Sequence, residues 1–123
     1  MSKLSPPNPE APDALAILDG ALCRLNRRGK VAQRHRPLGS AIVEFHPLAD
    51  GRYLVRESAF GLLPGISNLS CVDAELHQIW LAEPPPDGAL YSEPLHVAGD
   101  LVICPTTSGG RSLLDLATGR AVG

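Results

Sequence analysis

The sequence predicts an all-β protein in which short antiparallel strands form repeated units. The first observation is the density of turn-forming residues, because 12 Gly and 12 Pro among 123 residues leave little room for long helices. The second is that short apolar runs alternate with turn signals from residue 14 onward. The third is a strand-turn-strand layout that recurs three times. Aromatic residues are few, so the core has to be built from Leu, Val, Ile and Ala.

The first unit opens with an apolar run at 14–18. Asp19-Gly20, a dipeptide typical of two-residue hairpins, separates it from a second run at 21–25. A helix is the alternative for this stretch, because its leucines also recur at helical spacing. A glycine in the middle of that helix would cost about 1 kcal/mol. A turn and a third short strand at 30–33 follow.

The later strands are predicted by alternation and by the turns between them. Residues 59–67 and 84–88 are rich in Gly and Pro and predict connectors. The prolines of residues 1–12 predict a disordered tail, which leaves a single β-rich domain at 13–123. The expected strands are 40–46, 52–57, 68–73, 77–83, 89–97 (interrupted at Pro94), 101–104, 111–116 and 120–122.

The repeat carries most of the information. Each copy has an apolar strand, a Gly-containing turn, a second strand that ends in Asn or Asp, a short turn and a final strand. The side-chain oxygen of the Asn or Asp can accept backbone N–H groups of the following turn and so close a tight hairpin. A period of 40 to 50 residues with three or four strands is that of a propeller blade. The copies are 15–31, 53–80 and 101–122, with anchors at Asn26, Asp73 and Asp115, spaced 47 and 42 residues apart.

The segment SLLDLATGRAV (112–122) resembles the end of a quinoprotein-type (PQQ-like) β-propeller repeat. In such repeats the third strand ends in Leu-Asp, the turn ends in Thr-Gly-Lys or Thr-Gly-Arg, and the fourth strand often carries Trp. LSCVDAELHQIW (69–80) has Trp80 in place, with His77 where the glycine is expected. LCRLNRRGKV (22–31) lacks the Trp, and the last copy has Val122 at the Trp position.

The resemblance implies antiparallel, propeller-like units that amount to about three blades. A closed propeller generally needs at least four, and an open array exposes sheet faces and edges. Three outcomes stay open. The chain associates with itself, for example as two chains making about six blades. It is a fragment or remnant of a longer propeller. Or the repeat is weak and the chain closes as a compact β-barrel or sandwich.

Charge is distributed unevenly along the chain. The net charge of −2 argues against a dedicated DNA-packaging protein. Residues 24–36 hold six basic residues and no acidic one, whereas 37–123 hold four basic and ten acidic residues. The basic segment is a solvated surface, a face that docks on an acidic surface of the same or another chain, or a nucleic-acid stripe. The absence of aromatic residues within it disfavours nucleic acid.

The cysteines predict a reducing compartment. Cys23, Cys71 and Cys104 are odd in number and far apart, which is typical of free, buried thiols. The start of the sequence has no apolar signal-peptide core. No apolar run approaches the roughly 20 residues that a membrane-spanning helix needs. We therefore expect a cytoplasmic protein without membrane association.

Motifs for catalysis are lacking. The four histidines do not have metal-ligand spacing. His46 and His96 could hold a metal if they occupied equivalent places in two units, but polar residues beside turns are the favoured interpretation. There is no G-x-S-x-G motif, and no carboxylate pair is indicated. We predict no catalytic residue, no metal and no cofactor.

The expected function is that of a non-enzymatic binding or assembly module that acts through loops. In the resembled propellers the d-to-a and b-to-c connections share one face; here these are 34–39, 82–92, 58–67 and 105–110. The partner is a second copy or another protein. The alternatives are a fragment or subunit of a quinoprotein-like or hydrolytic propeller enzyme, and a nucleic-acid-binding barrel that uses 24–36. The candidate binding residues are Arg34, His35, Arg36, Phe60, Tyr91, Glu93, Thr106 and Thr107.

Overall fold

The computed structural model describes residues 14–62, 65–86 and 88–122, and these are all β-structure and loops. Their strands form antiparallel sheets, and the described residues contain no helix, so the predicted all-β class is confirmed. The expected tail at 1–12 lies outside the described residues. The strands are β1 (Ala14–Leu18), β2 (Ala21–Leu25), β3 (Val31–His35), β4 (Ile42–Pro47), β5 (Tyr53–Glu57), β6 (Leu69–Val72), β7 (Gln78–Leu81), β8 (His96–Ala98), β9 (Leu101–Pro105) and β10 (Arg111–Asp115).

These strands make three sheets in chain order. Sheet I contains β1 to β3, sheet II contains β4 to β7, and sheet III contains β8 to β10. Every pairing joins strands that are neighbours along the chain. After β10 the chain returns once more, and Ala121 forms a bridge with Leu114. None of the sheets formed by the described strands is closed on itself.

The first two strands form the predicted hairpin rather than the alternative helix. Leu18 pairs with Ala21 across the Asp19-Gly20 turn. Both turn residues have positive φ, 51° and 76°. This is the backbone that a two-residue hairpin of type I′ requires, and Asp-Gly supplies it at low cost.

The sheets are stacked face to face, and sheet II is covered on both sides. Successive residues of a strand point to opposite faces, and β5 shows the consequence. Val55 packs toward sheet I, whereas Leu54 packs toward sheet III. We call the two layers the first core (Leu22, Ile42, Val55, Val72 and Leu76) and the second core (Leu54, Leu69, Cys71, Trp80, Ala82, Tyr91, Leu95, Val102, Cys104 and Leu114).

The three predicted Asx turns are present. Asn26 Oδ1 accepts the N–H groups of Arg28 at 2.9 Å and Lys30 at 3.1 Å. Asp73 Oδ1 accepts two N–H groups in the same way, both at 2.9 Å. Asp115 Oδ1 accepts one, at 2.8 Å. The side chain that ends each second strand therefore closes the hairpin that follows it.

One detail of the expected repeat is wrong. The residue of positive φ in the second turn is Leu76 (66°), not His77, and its counterparts are Gly29 and Gly119. The third turn is one residue longer than the other two. Alignment of the second turn with the third therefore placed the expected glycine one residue too late, at His77. A left-handed leucine costs about 1–2 kcal/mol. Burial of the Leu76 side chain in the first core offsets that cost.

Sheets I and II each contact the turn of the next sheet through side chains, and one of these contacts recurs in both joints. The indole Nε1 of Trp80 donates to Leu116 O at 3.2 Å. The ring lies so close to Gly119 that a Cβ there would overlap it. In the preceding joint Gln33 Nε2 donates to Glu75 O, also at 3.2 Å. Two successive joints therefore use the same kind of contact.

Gln33 and Trp80 occupy equivalent positions. Each lies three residues beyond the residue whose carbonyl closes its hairpin, Lys30 and His77 respectively. The corresponding carbonyl in the third hairpin belongs to Arg120. The third equivalent is thus residue 123 rather than the expected Val122, and it lies outside the described residues.

Candidate functional site

Four of the segments that connect strands meet at one end of the stack. We call it the connector end (34–40, 57–62, 90–95 and 105–108). Glu57 organises the part nearest sheet I. Its carboxylate accepts the N–H groups of Leu38 at 2.6 Å, Gly39 at 3.0 Å and Ser40 at 2.9 Å. The residue is only 5% exposed. The buried carboxylate therefore fixes the connector that enters sheet II to the end of β5.

Asn68 joins the two halves of the connector end. Its side-chain Nδ2 donates to Glu57 O and to Tyr91 O, both at 2.8 Å. Its Oδ1 accepts the Tyr91 N–H at 2.8 Å. Asn68 is 2% exposed, so its amide satisfies backbone groups that would otherwise be buried without partners.

The loop after β9 is tied to the connector that enters sheet III. Tyr91 and Thr106 form an isolated antiparallel bridge. The Thr107 N–H donates to Leu90 O at 2.8 Å, and Thr107 Oγ1 accepts the Leu90 N–H at 3.0 Å. The structure therefore brings 38–40 beside 57–58 and 90–92 beside 105–107, with Asn68 between them.

An ion pair between the buried Arg56 and the partly exposed Glu44 holds the segment before β8. Arg56 Nε lies 2.7 Å from Glu44 Oε1, and the other Glu44 oxygen accepts the Leu95 N–H at 3.2 Å. Arg56 Nη2 is 3.9 Å from the exposed Glu93 carboxylate. Removal of one partner would leave an uncompensated buried charge, so this pair maintains the position of 93–95.

The predicted site residues divide into surface and support. Phe60 is 89% exposed at the connector end, and Glu93 and Thr107 are also exposed. Tyr91 is 1% exposed and Thr106 is buried, so neither reaches the surface. The Tyr91 hydroxyl donates to Glu83 O, and burial raises the pKa of Tyr91 to about 12. Tyr91 is therefore part of the second core.

Two of the three predicted residues of the basic segment lie on opposite faces of β3, and the third, Arg36, follows the strand. Arg34 and Arg36 face away from sheet II and line a groove of about 480 Å³ with Leu18, Asp19, Ala21 and Pro37. His35 lies opposite Leu22 on the face toward sheet II. Burial lowers the pKa of His35, and the Glu57 carboxylate partly opposes this. The arginines therefore belong to the outer face of sheet I.

Sequence reasoning missed the residues that hold the connector end together. Glu57, Asn68, Glu44 and Arg56 are polar residues in or beside strands, and in a sequence such residues are most often solvated. Their partners lie 11 to 51 residues away. No local pattern identifies that long-range pairing. The one signal that points to this pairing is the predicted strand order, once the strands are arranged in three dimensions.

Reactive chemistry is weakly supported in the described part of the chain. The three cysteines are free and buried, as predicted. Burial raises the pKa of Cys71, and it raises that of Cys104 to about 12, which suppresses the nucleophilic thiolate. His46 lies opposite Leu54 and His96 lies opposite Ile103, and both partners pair with the residue two before an Asx anchor, so the histidines occupy equivalent register positions in sheets II and III. No His, Cys, Asp or Glu cluster that could hold a metal occurs among the described residues.

No model of a known family and no curated protein matches this chain. The described residues include no helix that is both long enough and apolar enough to cross a membrane.

Proposed function

We propose that the chain is a propeller-like, non-enzymatic binding module that recognises a protein partner through its connector end. The propeller-like interpretation is supported by three sheets stacked in chain order with sheet II covered on both faces. It is also supported by two successive joints that use equivalent side chains, Gln33 and Trp80. The resemblance to PQQ-like repeats is part of the same proposal.

The observation that carries the function is an exposed aromatic ring on a fixed scaffold. Phe60 exposes nearly all of its surface at the tip of the segment after β5. That segment begins at Glu57 and Ser58, both of which bond to the neighbouring connector. A large aromatic residue held on a preorganised loop is typical of a binding anchor, because little conformational entropy is lost on association.

The surroundings of Phe60 fit a protein partner. Leu38, on the adjacent connector, is also exposed, and a Cβ at Gly39 would overlap Leu62 of the Phe60 loop. The two loops therefore touch and present apolar side chains near one another. Such a patch suits an apolar pocket on another protein. A phosphate backbone would instead favour a cationic surface.

The test places a photo-reactive benzoylphenylalanine at Phe60 and, as a matched control, at Ile79. Ile79 is an exposed apolar residue of β7, away from the connectors. We expect a discrete protein adduct from position 60 and none from position 79 after irradiation in extract of the source cells. The partner identified by mass spectrometry is then titrated with the purified chain. Phe60→Ser should weaken binding at least tenfold, and Ile79→Ser should leave it unchanged.

Two results would overturn the proposal. One is an equal adduct pattern from both positions, which would mean non-specific contact. The other is an adduct that disappears on nuclease treatment, which would favour the nucleic-acid interpretation of the basic segment.

A further inference from the structure

Sheet III presents one face to sheet II and the opposite face away from the stack. Val102, Cys104 and Leu114 point into the second core. Because successive residues of a strand point to opposite faces, Ile103 and Leu113 point away from sheet II. These two residues pair with each other across β9 and β10, and Leu113 is 38% exposed. We call the face that they centre the outer face of sheet III.

The equivalent position in sheet II is covered. Leu113 lies two residues before the anchor Asp115, and Cys71 lies two residues before the anchor Asp73. Cys71 is 0% exposed, because it lies in the second core, where sheet III packs on sheet II. At the end of the stack an exposed leucine therefore occupies the place that a neighbouring sheet covers in the preceding unit.

The pairing register arranges the outer face in rows that cross β9 and β10 without a bulge. The rows are Pro105 with Arg111, Ile103 with Leu113, and Leu101 with Asp115. The middle row is apolar. Arg111 and Asp115 lie on either side of Leu113 along β10, each about 7 Å away at the usual rise of a strand. The face therefore carries an apolar centre between one positive and one negative charge.

Neither charge has an ion-pair partner among the residues that the structure describes. Arg111 is exposed. Asp115 is partly exposed, and its Oδ1 accepts the Ala117 N–H, which leaves the negative charge without a cation beside it. An arginine and an aspartate placed symmetrically about a leucine are complementary to the same three residues run in the opposite direction. The face is therefore complementary to a second copy of itself.

We propose that two copies of this chain form a dimer by packing the outer faces of their third sheets on each other. The two-fold axis runs along the middle row, so β10 of one copy lies antiparallel over β10 of the other. Ile103 and Leu113 then each meet their own copies at the centre. Arg111 of each copy meets Asp115 of the other, which gives two ion pairs. Such an isologous contact uses the same patch on both copies, so it closes at two.

The charges select this arrangement over the other two-fold arrangement of the same faces. If the axis ran along the strands, β10 would lie parallel to its copy and Arg111 would meet Arg111. That juxtaposition of like charges is unfavourable. Sheets that pack face to face lie about 10 Å apart with strand directions within about 30°, so residues close to the axis keep their partners. The contact leaves the connector end free and does not depend on the proposed binding function.

The first experiment measures the mass of the full chain by light scattering on a sizing column over a range of concentrations. We expect a dimer of twice the 13.0 kDa monomer and no larger species. Arg111→Glu sets two carboxylates against each other at both ends of the contact, so the Kd of the dimer should rise about tenfold or more. Adding Asp115→Asn removes that repulsion and keeps an Oδ1 for the Ala117 N–H. The double variant should therefore dimerise more tightly than Arg111→Glu alone.

A cross-linking experiment locates the axis. Leu113→Cys places a thiol on the axis, beside its own copy. Ala98→Cys places an exposed thiol on the same face in the row of Leu101, which is about 7 Å off the axis, so its two copies are about 14 Å apart along the strands. A short bismaleimide should link Leu113→Cys into a covalent dimer much faster than Ala98→Cys. The unmodified chain is the blank, because its three cysteines are buried.

Controls keep the test decisive. Leu113→Glu should dissociate the dimer without loss of the far-ultraviolet CD signal, whereas Ile79→Glu changes an exposed apolar residue of β7 and should retain it. Phe60→Ser should also retain the dimer, which separates this proposal from the binding function. Three results would overturn the proposal: a monomer at every concentration, a dimer that survives Leu113→Glu, or cross-linking of Ala98→Cys as fast as that of Leu113→Cys.

Discussion

The two joints between sheets have the same design but different contents. In the joint between sheets I and II, Gln33 contacts the next turn, a leucine occupies the left-handed position, and the buried residues of the core are aliphatic. In the joint between sheets II and III, Trp80 makes the contact, Gly119 occupies that position, and Tyr91 joins the core. The second joint thus has a small residue in the turn and a large one on the strand. The first joint has a leucine in the turn and a glutamine on the strand. The two joints therefore share the position of the contact but not the residues that make it.

The largest expected effect comes from making the second joint resemble the first. Trp80→Gln retains a donor for Leu116 O but removes the ring that covers Gly119. Loss of a buried indole leaves a cavity, so we expect about 3 kcal/mol of destabilisation in urea unfolding. The counterpart Gln33→Ala removes two hydrogen bonds near the surface, one to Glu75 O and one from Arg24 Nε, and should cost about 1 kcal/mol. Equal losses would contradict the difference between the joints.

The next effect separates backbone strain from steric overlap. Gly119→Ala meets both a positive φ and the Trp80 ring, whereas Gly29→Ala meets only the positive φ. We expect about 1 kcal/mol for Gly29→Ala, and a further 1–3 kcal/mol for Gly119→Ala from overpacking. The free energy of unfolding of the two variants gives the comparison directly. If the two alanines cost the same, the indole does not constrain the third turn.

Leu76 offers a smaller effect in which two terms oppose each other. Leu76→Gly releases a left-handed backbone strain of about 1 kcal/mol but removes a buried side chain worth about 2–3 kcal/mol. We expect a net loss of about 1–2 kcal/mol. Leu22→Ala, in the same core but without the strain, should cost more, about 2–5 kcal/mol. A stabilised Leu76→Gly would mean that strain dominates at this turn.

The smallest expected effect is a difference in pH dependence. His35, at the first joint, has a pKa lowered from 6.5 by burial, so the unfolded chain binds the proton more readily. Its contribution is therefore present above about pH 6.5 and is lost as the pH falls below that value. Burial raises the pKa of Cys104, at the second joint, from 9.0 to about 12. Its contribution is present below pH 9 and is lost as the pH rises toward 12.

Unfolding measured from pH 5 to pH 11 tests these signs. His35→Gln should reduce the decline in stability on the acid side, and Cys104→Ala should reduce the decline on the alkaline side. If His35→Gln leaves the acid side unchanged, or Cys104→Ala leaves the alkaline side unchanged, the assignment to the two joints is wrong.

Local chemistry explains what the sequence predicted well. The Asp19-Gly20 hairpin and the oxygens of Asn26 and Asp73 act on backbone groups within a few residues. Their effect is therefore visible in a short window of sequence. The strand boundaries follow the same logic, since each turn signal lies beside the strand that it ends. The all-β class and the order of the strands were predictable for this reason.

Long-range pairing explains what the sequence did not predict. The left-handed position of Leu76 was not predicted, because the third turn has one more residue than the second and the alignment pointed to His77. The burial of the Leu76 side chain explains why a leucine is tolerated there. Glu57 looks like a solvated strand residue until its three N–H partners, 17 to 19 residues away, are known. Tyr91 is of a residue type that is common in binding sites, but its side chain is buried in the second core.

The strictly sequential strand pairing has a consequence for folding. Each described strand pairs only with strands beside it along the chain, so the closing loops are short and cost little entropy. Sheet I has all of its strand partners within residues 14–35 and can pair before sheet III has left the ribosome. Its face toward sheet II can then pack against the next strands as they emerge. The strand order therefore allows the sheets to form in the order in which they are synthesised.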